Sequence, residues 1–356
     1  MAGAQLLDFG REMAAQLAEA EGADAAFLAG SIVVGLGSAS SDVDVYLVGT
    51  GLRESRRQLF TDGVRVDVQT LATERLTGLV DEVVADYPAP SRKRVADAEL
   101  TVAVRLLTAE VVADTGCLAT MRERLAACPL PLRRMVISSW ARTAYSAVED
   151  VVGLRESSDR LDLDAAVTAG RRALLAAGKA LTAGGGDVHQ GDKWVWHQLA
   201  RSAPDSFPLA EYRRLMHHCA PEPESGKADC LGELVSFVQT CLIAAMTLGW
   251  WGVPLTHWPR WTDGGGPLRR SAFFLPCATD ATTLIAGPGA QIFRAPPEAL
   301  LVWGLCHGAS VDRVAASAAA LGPLAEPWNG LTGRRCRAVL RELADAALIT
   351  GAHIAD

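Results

Sequence analysis

Ala25-Ala26-Phe27-Leu28-Ala29-Gly30-Ser31, followed ten residues later by Asp42-Val43-Asp44-Val45-Tyr46-Leu47-Val48, is the stretch that decides how this chain folds. The first run reads as a short apolar strand broken at Gly30, and the second as a strand carrying acids at i and i+2. Side chains alternate along a strand, so Asp42 and Asp44 share one face while Val43, Val45 and Leu47 enter a core. Val64-Arg65-Val66-Asp67-Val68 repeats the pattern, and a neighbouring strand therefore brings a third carboxylate to that face. Arg65 has the parity of Asp67 and can serve there as a phosphate contact or as a structural partner of the acids.

Three clustered carboxylates repel one another and lose hydration, a cost that calls for cations between them. Two divalent ions at roughly 3.5–4 Å separation would neutralise the cluster and clamp a transferring phosphoryl group. Gly30 lets the backbone approach a phosphate chain closely. Ser31 is expected to cap a short following helix and, with the backbone N–H groups there, to hold phosphate oxygens.

In its order and spacing this segment resembles the DNA polymerase β-like nucleotidyltransferase superfamily: glycine plus serine, about ten residues, an acid-x-acid pair, then a third acid on a later strand. The resemblance implies transfer of a nucleoside monophosphate, AMP from ATP or its counterpart from another NTP, to a hydroxyl acceptor with release of pyrophosphate. It implies two Mg²⁺ ions held by Asp42, Asp44 and Asp67, with Asp67 helping to deprotonate the acceptor. It assigns nucleotide contacts to Gly30, Ser31 and Ser41. One departure stands out: residues 32 to 51 contain no basic side chain, where such proteins often carry one. Gly191-Asp192-Lys193-Trp194, preceded by Gly184 to Gly186, is similar to a Lys-Trp pair of aminoglycoside-type and related small-molecule nucleotidyltransferases. On that likeness Lys193 opens a helix and supplies the missing charge to the triphosphate, while Trp194 and Trp196 pack into a helical bundle.

The expected architecture is α+β: a small mixed-sheet core over 1–90, a helical acceptor domain over 91–258, and a winged-helix-like domain over 259–356. Pro88-Ala89-Pro90-Ser91-Arg92-Lys93-Arg94 is the linker after the core, and residues from Leu106 onward read as helical. After Gly264-Gly265-Gly266-Pro267, β-like runs precede helices over Glu298–Cys306, Val311–Leu321 and Arg334–Leu348. Strands followed by three helices look like the PqqD-like peptide-recognition domain, with His307 in place of the usual acid at a helix end. Arg334, Arg335, Arg337 and Arg341 raise a DNA-binding winged helix as the competitor, and a helical cap or dimer contact is the plainer reading.

At 356 residues and net charge −7, the chain is long enough for two or three cores and too acidic for broad nucleic-acid binding. The eight cysteines form no C-x-x-C pair. His217-His218-Cys219 with Cys230 reads as helix-end and loop residues beside Glu222 to Glu224 rather than a metal site. Asp8, Arg11 and Glu12 interrupt the N-terminal segment, which reads as an amphipathic helix and not a secretory signal. Leu234 to Leu255 approaches membrane-span length but lacks basic flanks, and reads as a buried helix. A cytoplasmic protein without membrane or nucleic-acid partner is expected. Its partners would be an NTP and a small-molecule acceptor such as an aminosugar or natural product, or a peptide recognised by the last domain. Glu149 and Asp150 are candidate acceptor-side bases or a solvated helix face. A non-catalytic nucleotide-binding scaffold is the alternative in a different class.

Overall fold

Helix α1 (Gly3–Glu21) places Leu6, Ala14 and Ala18 on one stripe, and that stripe is buried against a sheet. The sheet is built from β1 (Ala25–Ala29), β2 (Val43–Gly49), β3 (Ser55–Thr61), β4 (Val64–Ala72) and, beyond α2 (Thr73–Val84) and α3 (Asp97–Leu107), β5 (Glu110–Asp114). The computed structural model describes residues 3–88, 95–218, 227–278 and 282–351. The linker residues 89–94 lie outside them.

Strand order is β3-β4-β2-β1-β5, and the β2·β4 pair is parallel while its neighbours are antiparallel. Alternation sorts the faces as the sequence pattern requires. Val43, Val45, Leu47, Val66 and Val68 form one core with α1, and Asp44 and Asp67 face the other way. Asp44 and Asp67 are direct register partners. The β3–β4 hairpin turns through Asp62-Gly63, both at positive φ, the geometry that matches strand twist in a two-residue loop. That turn fixes Gln58 opposite Asp67 and Arg56 opposite Gln69. Residues 110–114 read as helical in the sequence but form β5, paired with β1. Val111, Val112 and their neighbours fit a strand equally well, and an open sheet edge decides the matter.

The chain divides into two compact units. The first comprises Met1–Tyr87, Arg94–Met135 and His189–Trp194, so the acid-bearing sheet also recruits α3, α4 (Cys117–Ala127) and a distant loop. The second comprises Pro88–Lys93, Val136–Val188 and Val195–Asp356. Its helical part consists of most of α5 (Pro129–Leu154), then α6 (Arg160–Gly184), α7 (Val195–Ser202), α8 (Leu209–His218) and α9 (Lys227–Met246). Asp159 caps α6 by accepting from the Leu161 N–H at 2.8 Å. The helical stretch Cys230–Trp251 is apolar enough to cross a membrane, yet 83% of its window is buried, the packing of a core helix.

Beyond it, β6 (Leu268–Arg270) precedes the antiparallel meander β7 (Leu275–Ala278), β8 (Thr283–Gly287) and β9 (Gln291–Arg294). Then come α10 (Pro297–Leu305), β10 (His307–Ala309), α11 (Val311–Leu321), α12 (Gly333–Asp345) and β11 (Ile349–Thr350). The three expected helices are present, and β6, β10 and β11 add a second small sheet in the order β10-β6-β11. His307, read as a helix-end residue, begins β10. Burial and the cations Arg270, Arg269 and Arg260 push its imidazole down to about 3, so it is neutral. On α12, Arg335 pairs with Glu298 and Glu342, and Arg337 with Asp312 at 3.1 Å.

Candidate functional site

Gly30 ends β1 at φ +81°, a conformation that favours glycine, and leads into Ser31 beside the start of β2. A Cβ at position 30 would lie 2.1 Å from Asp44 Oδ2, so glycine is what allows the backbone and this carboxylate to meet. The helix expected after Ser31 is a single turn instead. The Ser31 carbonyl accepts from the N–H groups of Leu36 and Gly37 at 2.9 and 2.8 Å, closing the loop on itself. Gly35 and Gly37 interrupt any helical continuation. Ser41 is buried, and its hydroxyl accepts from the Ser38 N–H at 2.9 Å, so it shapes this loop.

Two guanidinium groups organise the acids. Arg65 Nη2 donates to Asp42 Oδ2 at 2.6 Å and to Asp67 Oδ2 at 2.8 Å, which settles its role as a structural partner of the acids in this state. Arg105, on α3, lies 3.1 Å from Asp44 Oδ1 and donates to the Tyr46 hydroxyl at 2.6 Å. Tyr46 is itself stacked on Phe27, ring centroids 4.7 Å apart. Asp44 is the most buried of the three acids, its side chain 13% exposed against 26% for Asp42 and 28% for Asp67. Burial pushes its carboxyl up to about 6; Arg105 pulls the other way, and Asp42 and Asp67 add to the rise. Desolvation therefore outweighs the ion pair.

Among the described residues, no three His, Cys, Asp or Glu side chains already stand as a metal-ligating group, and arginines lie among the three acids. The donor set nonetheless suits hard divalent cations, which take carboxylate oxygens. Asp67 Oδ1 is buried without a hydrogen-bond partner, an orphaned anionic oxygen that a cation would satisfy.

Lys193 lies in a 3-10 turn, Asp192–Trp194, ahead of α7. Gly30, Ser31, Asp42, Asp44, Arg105 and Lys193 line one cavity of about 300 Å³ within the first unit. Trp194 also lines it, whereas Trp196 packs on Tyr212 and His217 in the second unit. A second cavity of about 700 Å³ opens on the same face of the sheet and shares Asp44, Thr101 and Arg105 with the first. Asp67 lines only this larger cavity. Glu149 accepts from the Tyr145 hydroxyl at 2.8 Å and Asp150 pairs with Arg172 at 2.7 Å, both in the second unit. Cys219 and Glu222 to Glu224 lie outside the described residues, and Cys230 is disulfide-bonded.

Sequence reasoning missed Arg105. It lies 61 positions from Asp44, and no local pattern marks it; only the docking of α3 brings it in. Tyr46, by contrast, has the parity of Asp44 on one strand and was legible in principle.

The first unit is thus an α+β fold with acids on the sheet face that lines the two cavities. No model of a known protein family matches the chain, and no curated protein does. Among solved structures, it is similar to a nucleotidyltransferase-like protein from Exiguobacterium sibiricum 255-15, over 64% of this chain and 71% of that one, at 11% identity and a TM-score of 0.36.

Proposed function

We propose that the chain is a nucleotidyltransferase that moves a nucleoside monophosphate from a triphosphate to a hydroxyl of a small molecule. The observation that carries this reading is the gathering of Asp42, Asp44, Gly30, Ser31 and Lys193 around one cavity, with Asp67 in register beside Asp44. Asp42, Asp44 and Asp67 would hold divalent ions, which when bound supply charge neutralisation and polarise the phosphoryl group. Lys193 and the Gly30-Ser31 backbone receive the triphosphate, and Arg105 holds Asp44 in place through their ion pair. The acceptor oxygen bonds to the α-phosphorus, the bond from that phosphorus to the bridging oxygen breaks, and pyrophosphate leaves with the electron pair. Asp67 takes the hydroxyl proton and passes it to solvent. ATP is the donor we favour.

The test is pyrophosphate release with Mg²⁺ and each NTP in turn over a panel of hydroxyl acceptors, with products weighed by mass spectrometry. Wild type releases pyrophosphate only with metal, and Asp42→Ala does not while keeping its fold. Wild type that binds Mg·NTP yet releases nothing would instead be a non-catalytic nucleotide binder.

A further inference from the structure

The larger cavity carries more cationic than anionic side chains, and each of its two acids already has an arginine partner. Asp44 pairs with Arg105 and Asp67 with Arg65. Arg57, also at the cavity wall, pairs with Glu21 on α1. That leaves Arg56, whose Nη2 donates to Gln69 Oε1 at 3.1 Å and which no carboxylate answers among the described residues. The hairpin register places Arg56 two positions along β3 from Gln58, the residue opposite Asp67. Two strand positions span roughly 7 Å.

An ammonium-bearing acceptor needs uncommitted carboxylates; the one buried carboxylate oxygen left unpartnered among the described residues, Asp67 Oδ1, is assigned to a divalent ion, so the ammonium would meet guanidinium groups. The charge cost opposes binding rather than merely failing to help it. A carboxylate or phosphate, by contrast, accepts two parallel N–H bonds from one guanidinium. A volume of about 700 Å³ is ample for a small molecule. We infer that this cavity takes an anionic acceptor: a polyhydroxylated compound whose phosphate or carboxylate sits on Arg56 while a hydroxyl faces Asp67. This rests on the nucleotidyl-transfer reading and turns its acceptor away from an aminosugar. The reaction balances as NTP plus acceptor hydroxyl giving the phosphodiester, pyrophosphate and one proton.

The experiment is calorimetric titration of the full chain with glucose 6-phosphate, glucuronate, glucose and glucosamine, with and without Mg²⁺ and an α,β-methylene NTP. At least one anionic hexose is expected to bind roughly ten-fold more tightly than glucose or glucosamine, and whichever does so distinguishes a phosphate from a carboxylate acceptor. Arg56→Gln should bring that preference to near parity, and Arg56→Lys should restore part of it. Mg·NTP titration of each variant checks that the fold and the neighbouring cavity are intact. Glucosamine binding as tightly as the anions, an anion preference untouched by Arg56→Gln, or no binding of either anionic hexose would each overturn the inference. Failure of wild type to bind Mg·NTP would sink the nucleotidyl-transfer reading instead, while the nucleotide-free titrations still decide the cavity's charge preference.

Discussion

Asp44→Asn, studied in EDTA, asks whether burial or the ion pair governs the central acid. The folded carboxyl is raised to about 6 from 3.8, with burial the largest cause and Arg105 opposing it. A raised carboxyl means the folded state holds its proton more tightly than the unfolded chain does. The resulting stability is fully present below about pH 4, falls as pH rises between the two values, and is gone above the folded value. The whole shift corresponds to about 3 kcal/mol, of which about 2 kcal/mol falls between pH 4.5 and 7.5. Asparagine cannot titrate, so the wild-type minus variant unfolding free energy should drop by about 2 kcal/mol over that range. Urea unfolding at closely spaced pH values, metal-free, measures it directly. A difference rising with pH would mean that the Arg105 pair dominates, and a flat one that it cancels burial; either result would refute the desolvation argument. With Mn²⁺ added the sign should reverse, because a metal ion requires the ionised carboxylate.

Three further outcomes follow from the same geometry. Gly30→Ala puts a Cβ into the Asp44 carboxylate at a left-handed backbone position; calorimetry should show about 1–2 kcal/mol of lost stability, and nucleotide turnover should fall much further. Arg65→Met removes the bridge between Asp42 and Asp67, so metal-free protein should bind Mn²⁺ more tightly by roughly three- to ten-fold in titration calorimetry. Leu47→Ala, at a fully buried position of β2, should cost about 2–5 kcal/mol in urea unfolding without altering metal affinity in whatever protein remains folded.

Much of the first unit could be read directly from residue order. Alternation along Val43-Asp44-Val45 and Val66-Asp67-Val68 separated an acid face from a core face, because the two-residue period of a strand is local stereochemistry, while Asp42 lies just before β2 begins. Asp62-Gly63, which the sequence reading passed over, is a tight-hairpin signal of the same local kind. Positive φ at Gly30 belongs to the same class, since the lack of a Cβ is a property of the residue.

What no local rule supplied was the set of counter-charges and the walls of the two cavities. Arg105 reaches Asp44 because α3 docks over the sheet, and residues 189–194 join the first unit after an excursion of more than fifty positions through the second. Arg56 became a cavity cation through strand pairing. The short helix expected at Ser31 gave way to a turn closed by N–H groups of its own loop, while β5 took residues read as helical because β1 offered them backbone partners from outside the segment. Periodicity tells a residue which face of its own element it occupies. Which charges then confront one another across a cavity depends on long-range packing, and in this chain that packing decided how the acids are paired and which charges line the larger cavity.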